Sequence, residues 1–99
     1  MPRLIYTKDA REDFIRAHRF LLTKNVVAAD KAKRTIIDSI NRLSAMPMAH
    51  RPVRRYPHQR DLIIPFGSSG YIIRFSYEPG GDIIILRMRH QKEVGFDEA

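Results

Sequence analysis

The apolar positions of this chain fall into two helical stripes followed by a run of alternating strands. Arg3-Leu-Ile-Tyr-Thr7 is short and β-prone. Thr7 then reads as a helix N-cap, because Asp9, Glu12 and Asp13 set negative charge in the first turns against the helix dipole. The helix starts near Lys8. Ala10, Phe14, Ala17 and Leu21 recur at spacings of four, three and four, and Ile15 and Leu22 widen the stripe, which leaves Arg11, Arg16 and Arg19 on the wet side. It ends near Lys24-Asn25. A second helix is expected from about Val26, with Ala29, Ala32, Ile36, Ile40 and Leu43 at three or four, and Met46-Pro47 stops it because proline disfavours helical geometry in the residue before it. With almost no connection between them, the two form an αα-hairpin.

Beyond Pro47 the period changes. Pro47, Pro52 and Pro57 break up an irregular connection that also holds His50 and His58. Leu62-Ile63-Ile64 reads as a short strand closed by Pro65, and Phe66-Gly-Ser-Ser-Gly70 as a turn. Tyr71 to Tyr77 alternates, with Tyr71, Ile73, Phe75 and Tyr77 on one face and Ile72, Arg74 and Ser76 on the other. Glu78-Pro-Gly-Gly-Asp82 is a hairpin loop. In the return strand Ile83 to Arg89, strict alternation puts Ile84, Leu86 and Met88 on one side and Ile83, Ile85, Arg87 and Arg89 on the other. The expected order is β-α-α-β-β-β, an α+β domain with two helices against one face of an antiparallel sheet and the other face open.

Composition narrows the class. A chain of 99 residues holds one domain, and a hydrophobic fraction of 43% with 29% charged residues suits a modest core rather than disorder. The absence of cysteine excludes disulfides, thiolate zinc sites and thiol nucleophiles. The longest aliphatic run, Ile83 to Leu86, is far too short to span a bilayer, and Met1-Pro2-Arg3 leads into no secretory apolar stretch, so a cytoplasmic protein without membrane partners is expected. The net charge of +7 favours an acidic partner. Its purest basic stretch is the middle connection, residues 49–61, with four arginines against one acid.

The ordered set of segments resembles the RelE/ParE superfamily of bacterial toxins from type II toxin-antitoxin systems, over nearly the whole chain. The likeness is carried by the capped helix Lys8-Asp-Ala-Arg-Glu-Asp-Phe14, by Ile40-Asn-Arg-Leu43 with Met46-Pro47, and by Arg51-Pro52 and Arg60-Asp-Leu-Ile-Ile64. It continues in Gly70-Tyr-Ile-Ile-Arg-Phe75 and Ile83-Ile-Ile-Leu-Arg-Met-Arg-His90. The ending Arg89-His-Gln-Lys-Glu-Val-Gly-Phe96 looks more like the ParE branch. The resemblance implies one of two mechanisms. RelE-type toxins cut mRNA in the ribosome, which needs cations on the scissile phosphate and groups for proton transfer; ParE-type toxins inhibit DNA gyrase without such a site. Ile63 and Pro65 stand where the RelE lysine pair would be, Ile72 where its arginine would be, and Phe96 where a tyrosine would serve. The ParE reading therefore leads: a non-enzymatic gyrase inhibitor, without cofactor or small-molecule substrate, neutralised by an acidic antitoxin.

Candidate residues follow from that reading. Arg74, Arg87 and Arg89 can project from the open sheet face, and with His90, Lys92 and Phe96 they are the expected target contacts; as surface arginines they can equally form cross-strand pairs. Were the chain a nuclease, His90, Arg74 and Lys92 would be its catalytic set, a strand-terminal histidine being suited to proton transfer. For the antitoxin, Phe20, Leu21, Leu22, Ile36 and Ile37 supply more apolar surface than one core-facing stripe hides. His18, His50 and His58 lack metal-ligand spacing, so no metal is expected. Ser68 and Ser69 are turn residues with no histidine nearby in sequence, and the aromatics Tyr71, Phe75 and Tyr77 are expected in the core rather than as a base-stacking platform.

Overall fold

The computed structural model describes residues 2–92. Its elements are β1 (Leu4–Tyr6), α1 (Lys8–Leu22), α2 (Val26–Asn41), β2 (Arg51–Val53), β3 (Tyr56–Phe66), β4 (Ser69–Ser76) and β5 (Ile83–His90). Both helices begin at side-chain caps: the Thr7 hydroxyl accepts from the Ala10 N–H at 3.0 Å and the Asn25 carboxamide from the Ala28 N–H at 3.0 Å. The α2 segment stops earlier than the proline predicts. Its last turns tighten into a 3-10 turn, Arg42–Ser44, which buries Leu43, and a second one follows at Pro47–Ala49.

Five strands form one sheet in the order β1-β5-β4-β3-β2, with β1 parallel to β5 and every other pair antiparallel. The sheet is thus mixed where a purely antiparallel one was expected: the helical hairpin carries the chain from β1 to β2 at the opposite edge, and the antiparallel run from β2 to β5 returns across the sheet to place β5 beside β1 in the same direction. The connection after Pro47 is also not irregular. It holds β2 and the first half of an eleven-residue β3. Pro57 is accommodated by a bulge: Pro52 pairs with Arg60 while Val53 pairs with Tyr56, so residues 57–59 have no partner on β2 and the missing N–H costs no ladder bond there. The turn to β4 needs glycine twice. Gly67 has φ +62°, and a Cβ on Gly70 would overlap the Ile64 carbonyl across the ladder.

A second bulge lies in β5. Arg74 pairs with Arg87 but Phe75 pairs with Ile85, so Leu86 is unopposed and the alternation slips by one. Ile83, Ile85 and Met88 therefore share the buried face, which strict alternation had divided. Without the slip Arg87 and Arg89 would point into the core beside Ile83 and Ile85; the bulge removes that cost. The core joins Ala10, Ala32, Ile36, Ile40 and Leu43 to Leu62, Ile64, Tyr71, Ile73, Phe75, Ile83, Ile85 and Met88. Tyr71 and Phe75 belong to it, and Tyr77 packs against it.

Candidate functional site

Beyond Ile85, β1 no longer covers β5, and the start of α1 closes the exposed edge. The Thr7 N–H donates to the Ile85 carbonyl at 3.1 Å, and its hydroxyl donates to the Leu86 carbonyl at 2.9 Å. Nearly two turns on, the Asp13 carboxylate accepts the Met88 N–H at 2.9 Å. The same carboxylate, 3% exposed as a residue, receives Arg87 through two bonds of 2.8 and 3.2 Å and Arg16 at 2.8 Å. Burial pushes its pKa up, but the bonds from Arg87, the Met88 N–H and Arg16, with the charge of Arg87, outweigh burial and hold it below the ordinary carboxylate range. Asp13 was read in the sequence only as a dipole partner. The sign that it does more is its spacing: three residues after Ala10 and four before Ala17, it lies within the apolar stripe.

The expected cationic patch is rearranged. Arg74 does leave the core face, but it lies opposite Asp61 and is held by a two-bond ion pair of 2.9 and 3.1 Å, with both side chains largely shielded, 16% and 11% exposed. Arg87, its neighbour on β5, turns to Asp13. Two arginines stand side by side across the sheet, and each is neutralised on its far side by a carboxylate. Because the Asp61–Arg74 pair is largely withdrawn from water, a double-mutant cycle with Asp61→Asn and Arg74→Gln is expected to give a coupling of about 1 to 2 kcal/mol; coupling below about 0.5 kcal/mol would make it an ordinary surface pair.

His90 and Lys92 lie elsewhere. The His90 ring meets Tyr71 edge-on, with centroids 5.5 Å apart, and its Nδ1 accepts the Lys92 N–H at 3.2 Å. It therefore faces the helical side, away from Arg74, so the conditional nuclease set of His90, Arg74 and Lys92 is not assembled around one point. A pocket of about 540 Å³ lies there, between Phe20 and Leu21 of α1 and Tyr71, Met88, Arg89 and His90 of the sheet. Burial raises the Tyr71 hydroxyl above its ordinary pKa. Arg89 donates to the His90 carbonyl at 3.3 Å. Phe96 lies outside the described residues. On the open face, Ile63 and Ile72 pair directly, so the positions matched to RelE cations are an apolar patch.

Between α1 and α2 runs a groove of about 440 Å³, walled by Phe14, Leu21, Ile36, Ile37 and Ile40 with Tyr71 and Met88 on its floor. Of the five residues expected to meet an antitoxin, Ile37 is 42% exposed on its rim, whereas Leu21 packs on the core and Ile36 is buried at its wall. Phe20 and Leu22 are exposed outside this groove, at 62% and 40%, with Lys24 standing over the Phe20 ring. Lys33 and His18 interrupt the apolar lining, and His18 Nε2 is buried without a hydrogen-bond partner among the described residues. No cluster of potential metal ligands occurs among the described residues, and no helix there is long and apolar enough to cross a membrane.

A helical hairpin closing the edge of a small mixed sheet, with an apolar groove beside it, defines the fold class of the RelE/ParE toxins. A solved chain described as "Chromosomal ParDE TA system from P. aeruginosa" superposes with a TM-score of 0.72 at 23% identity, covering 93% of this chain and 98% of that one, and so has the same fold. Toxin RelE3 of Caulobacter vibrioides is 31% identical over 84 residues, 85% of this chain and 88% of its own length. The family described as "ParE toxin of type II toxin-antitoxin system, parDE" matches residues 4–95. The chain belongs to this ParE toxin family, whose members act as the toxins of type II toxin-antitoxin pairs.

Proposed function

We propose that this toxin acts in the cytoplasm by inhibiting DNA gyrase, without nuclease chemistry, and that an acidic antitoxin neutralises it by folding into the groove between α1 and α2. The observation that carries the first half is the open face of the sheet. Phosphodiester cleavage needs free cations around the scissile phosphate, and each one missing costs on the order of a hundredfold. Here Ile63 and Ile72 occupy the matched positions; of the arginines beside them, Arg89, opposite Ile72, donates to the His90 carbonyl, and Arg74 is held by Asp61. His90, the strand-terminal proton-transfer candidate, is turned to Tyr71 on the other side. The competing reading, mRNA cleavage, draws on the name of the Caulobacter relative and on His90 itself.

The groove supports the second half. It is apolar and partly open, the kind of surface that takes the anchors of an amphipathic helix. The chain's charge of +7 attracts an acidic segment.

The test uses purified full-length toxin in two assays. Gyrase supercoiling is expected to be blocked, and ribosomes programmed with mRNA are expected to leave the message intact. Discrete ribosome-dependent cuts, abolished by His90→Ala or Arg74→Ala, with gyrase unaffected, would reverse the assignment.

A further inference from the structure

The basic residues of the connection from His50 to Arg60 have no role in the groove or in the charged row across the sheet. From His50 to Arg60 the sequence contains no acid. The structure shapes this stretch into a β-hairpin on the outer edge of the sheet: Val53 pairs with Tyr56, which leaves Arg54 and Arg55 at the tip and Arg51 on the edge strand. All three arginines are exposed, and none makes an ion pair among the described residues. The two nearby acids are otherwise engaged. Asp61, at the hairpin's base, is bound to Arg74, and Glu78 lies 3.6 Å from His58. Arg60 is directed inward, donating to the His50 carbonyl at 2.7 Å, and so fixes the base of the hairpin without competing at its tip.

We propose that this β2–β3 hairpin binds the phosphate backbone of duplex nucleic acid, at a site separate from the helical groove. Arginine's planar fork matches phosphate oxygens, and an unopposed set of three is the electrostatic footprint of a backbone contact. A two-stranded ribbon is also narrow enough to approach a B-DNA groove. A protein partner is less well served. Its interface needs an apolar centre depleted of charge, and neither cavity described above includes any residue of this hairpin. The exposed Tyr56 beside the tip adds one aromatic face to the cationic surface. This reading does not depend on gyrase being the target, since it concerns direct contact between the toxin and nucleic acid.

The experiment measures anisotropy of a labelled duplex of about 20 base pairs, titrated with the full-length protein over a salt series. Each phosphate neutralised contributes about 0.9 to the slope of log affinity against log salt. The triple variant Arg51→Gln, Arg54→Gln, Arg55→Gln is expected to lose tenfold or more in affinity at about 0.1 M salt and to flatten the slope by about 2 to 3. A control losing the same charge from the helices, Arg11→Gln, Lys31→Gln, Arg34→Gln, is expected to lose less than about threefold. If the hairpin triple proves unstable, the pair Arg54→Glu, Arg55→Glu confines the change to the turn and is read in the same way. Equal losses in hairpin and control variants would overturn the proposal, as would no binding by the parent protein. A hairpin variant that kept duplex affinity but lost antitoxin affinity would assign the surface to an acidic protein segment instead.

Discussion

Replacing Asp13 with alanine is expected to destabilise the folded toxin by about 3 kcal/mol, which in a domain of this size lowers Tm by roughly 15 °C. The magnitude follows from what the carboxylate holds. It is buried, it accepts a backbone N–H that no strand pairs, and it joins two arginines. Its removal leaves the Met88 N–H unsatisfied inside the α1–β5 contact, a cost of about 1 to 3 kcal/mol by itself. The arginines cost less, because Arg16 is largely exposed and Arg87 partly so, and both can turn to water. Asp13→Asn keeps an acceptor for Met88 and should lose about half as much. The pH dependence has a definite sign. Asp13 titrates below its unfolded value of about 3.9, so its contribution is present above about pH 4 and is lost as the pH falls through the folded value. In thermal melts the gap in Tm between the parent and Asp13→Asn should therefore be full at pH 7 and narrow as the pH falls below the unfolded value and through the folded one. A parent and an Asp13→Ala protein melting within about 3 °C of each other at pH 7 would remove Asp13 from the account.

What the sequence disclosed and what it concealed separate along physical lines. Local periodicity exposed both helices, their start sites, the aromatics of β4 and the α+β class, since these depend on neighbours three, four or two residues away. The parallel pairing of β1 with β5 joins Leu4 to Ile83, and nothing local announces it. Prolines misled at β3, where Pro57 reads as a breaker but sits in a bulge that asks for no N–H. The slip at Leu86 puts Ile83 and Ile85 on the buried face while leaving Arg87 opposite Arg74, as expected; an arginine in phase with Ile83 and Ile85 is the sequence's warning that the phase must change. The candidate site was harder still. Arg74 was readable as leaving the core, but its capture by Asp61 rests on cross-strand register; the separation of His90 from Arg74 follows from plain alternation, since His90 pairs with Tyr71 on the other face. Residue type gave the chemistry available; register decided which charges were already spent on one another.

Ile37→Asp is expected to weaken antitoxin binding a hundredfold or more, about 2.7 kcal/mol, while lowering the toxin's own stability by no more than about 1 kcal/mol. The asymmetry comes from exposure. In the free protein Ile37 is 42% exposed on the rim of the groove, so an aspartate there keeps much of its hydration. A helix seated between α1 and α2 would cover that position, and the carboxylate would lose its water against an apolar anchor, the costly burial of an unpaired charge. An acidic partner would add repulsion of like sign. Leu22→Asp is the matched comparison: it places the same charge at a position exposed to nearly the same degree, 40%, but outside the groove. It should change affinity less than tenfold. Calorimetry on both variants, with thermal melts of each free toxin, separates loss of binding from loss of fold. In cells, Ile37→Asp should remain toxic when the antitoxin is co-expressed, because the poison is intact and only its neutralisation is impaired. If Ile37→Asp bound the antitoxin as tightly as the parent, the groove would not be its seat, and the sheet face around Ile63, Ile72 and Arg74 would become the surface to probe.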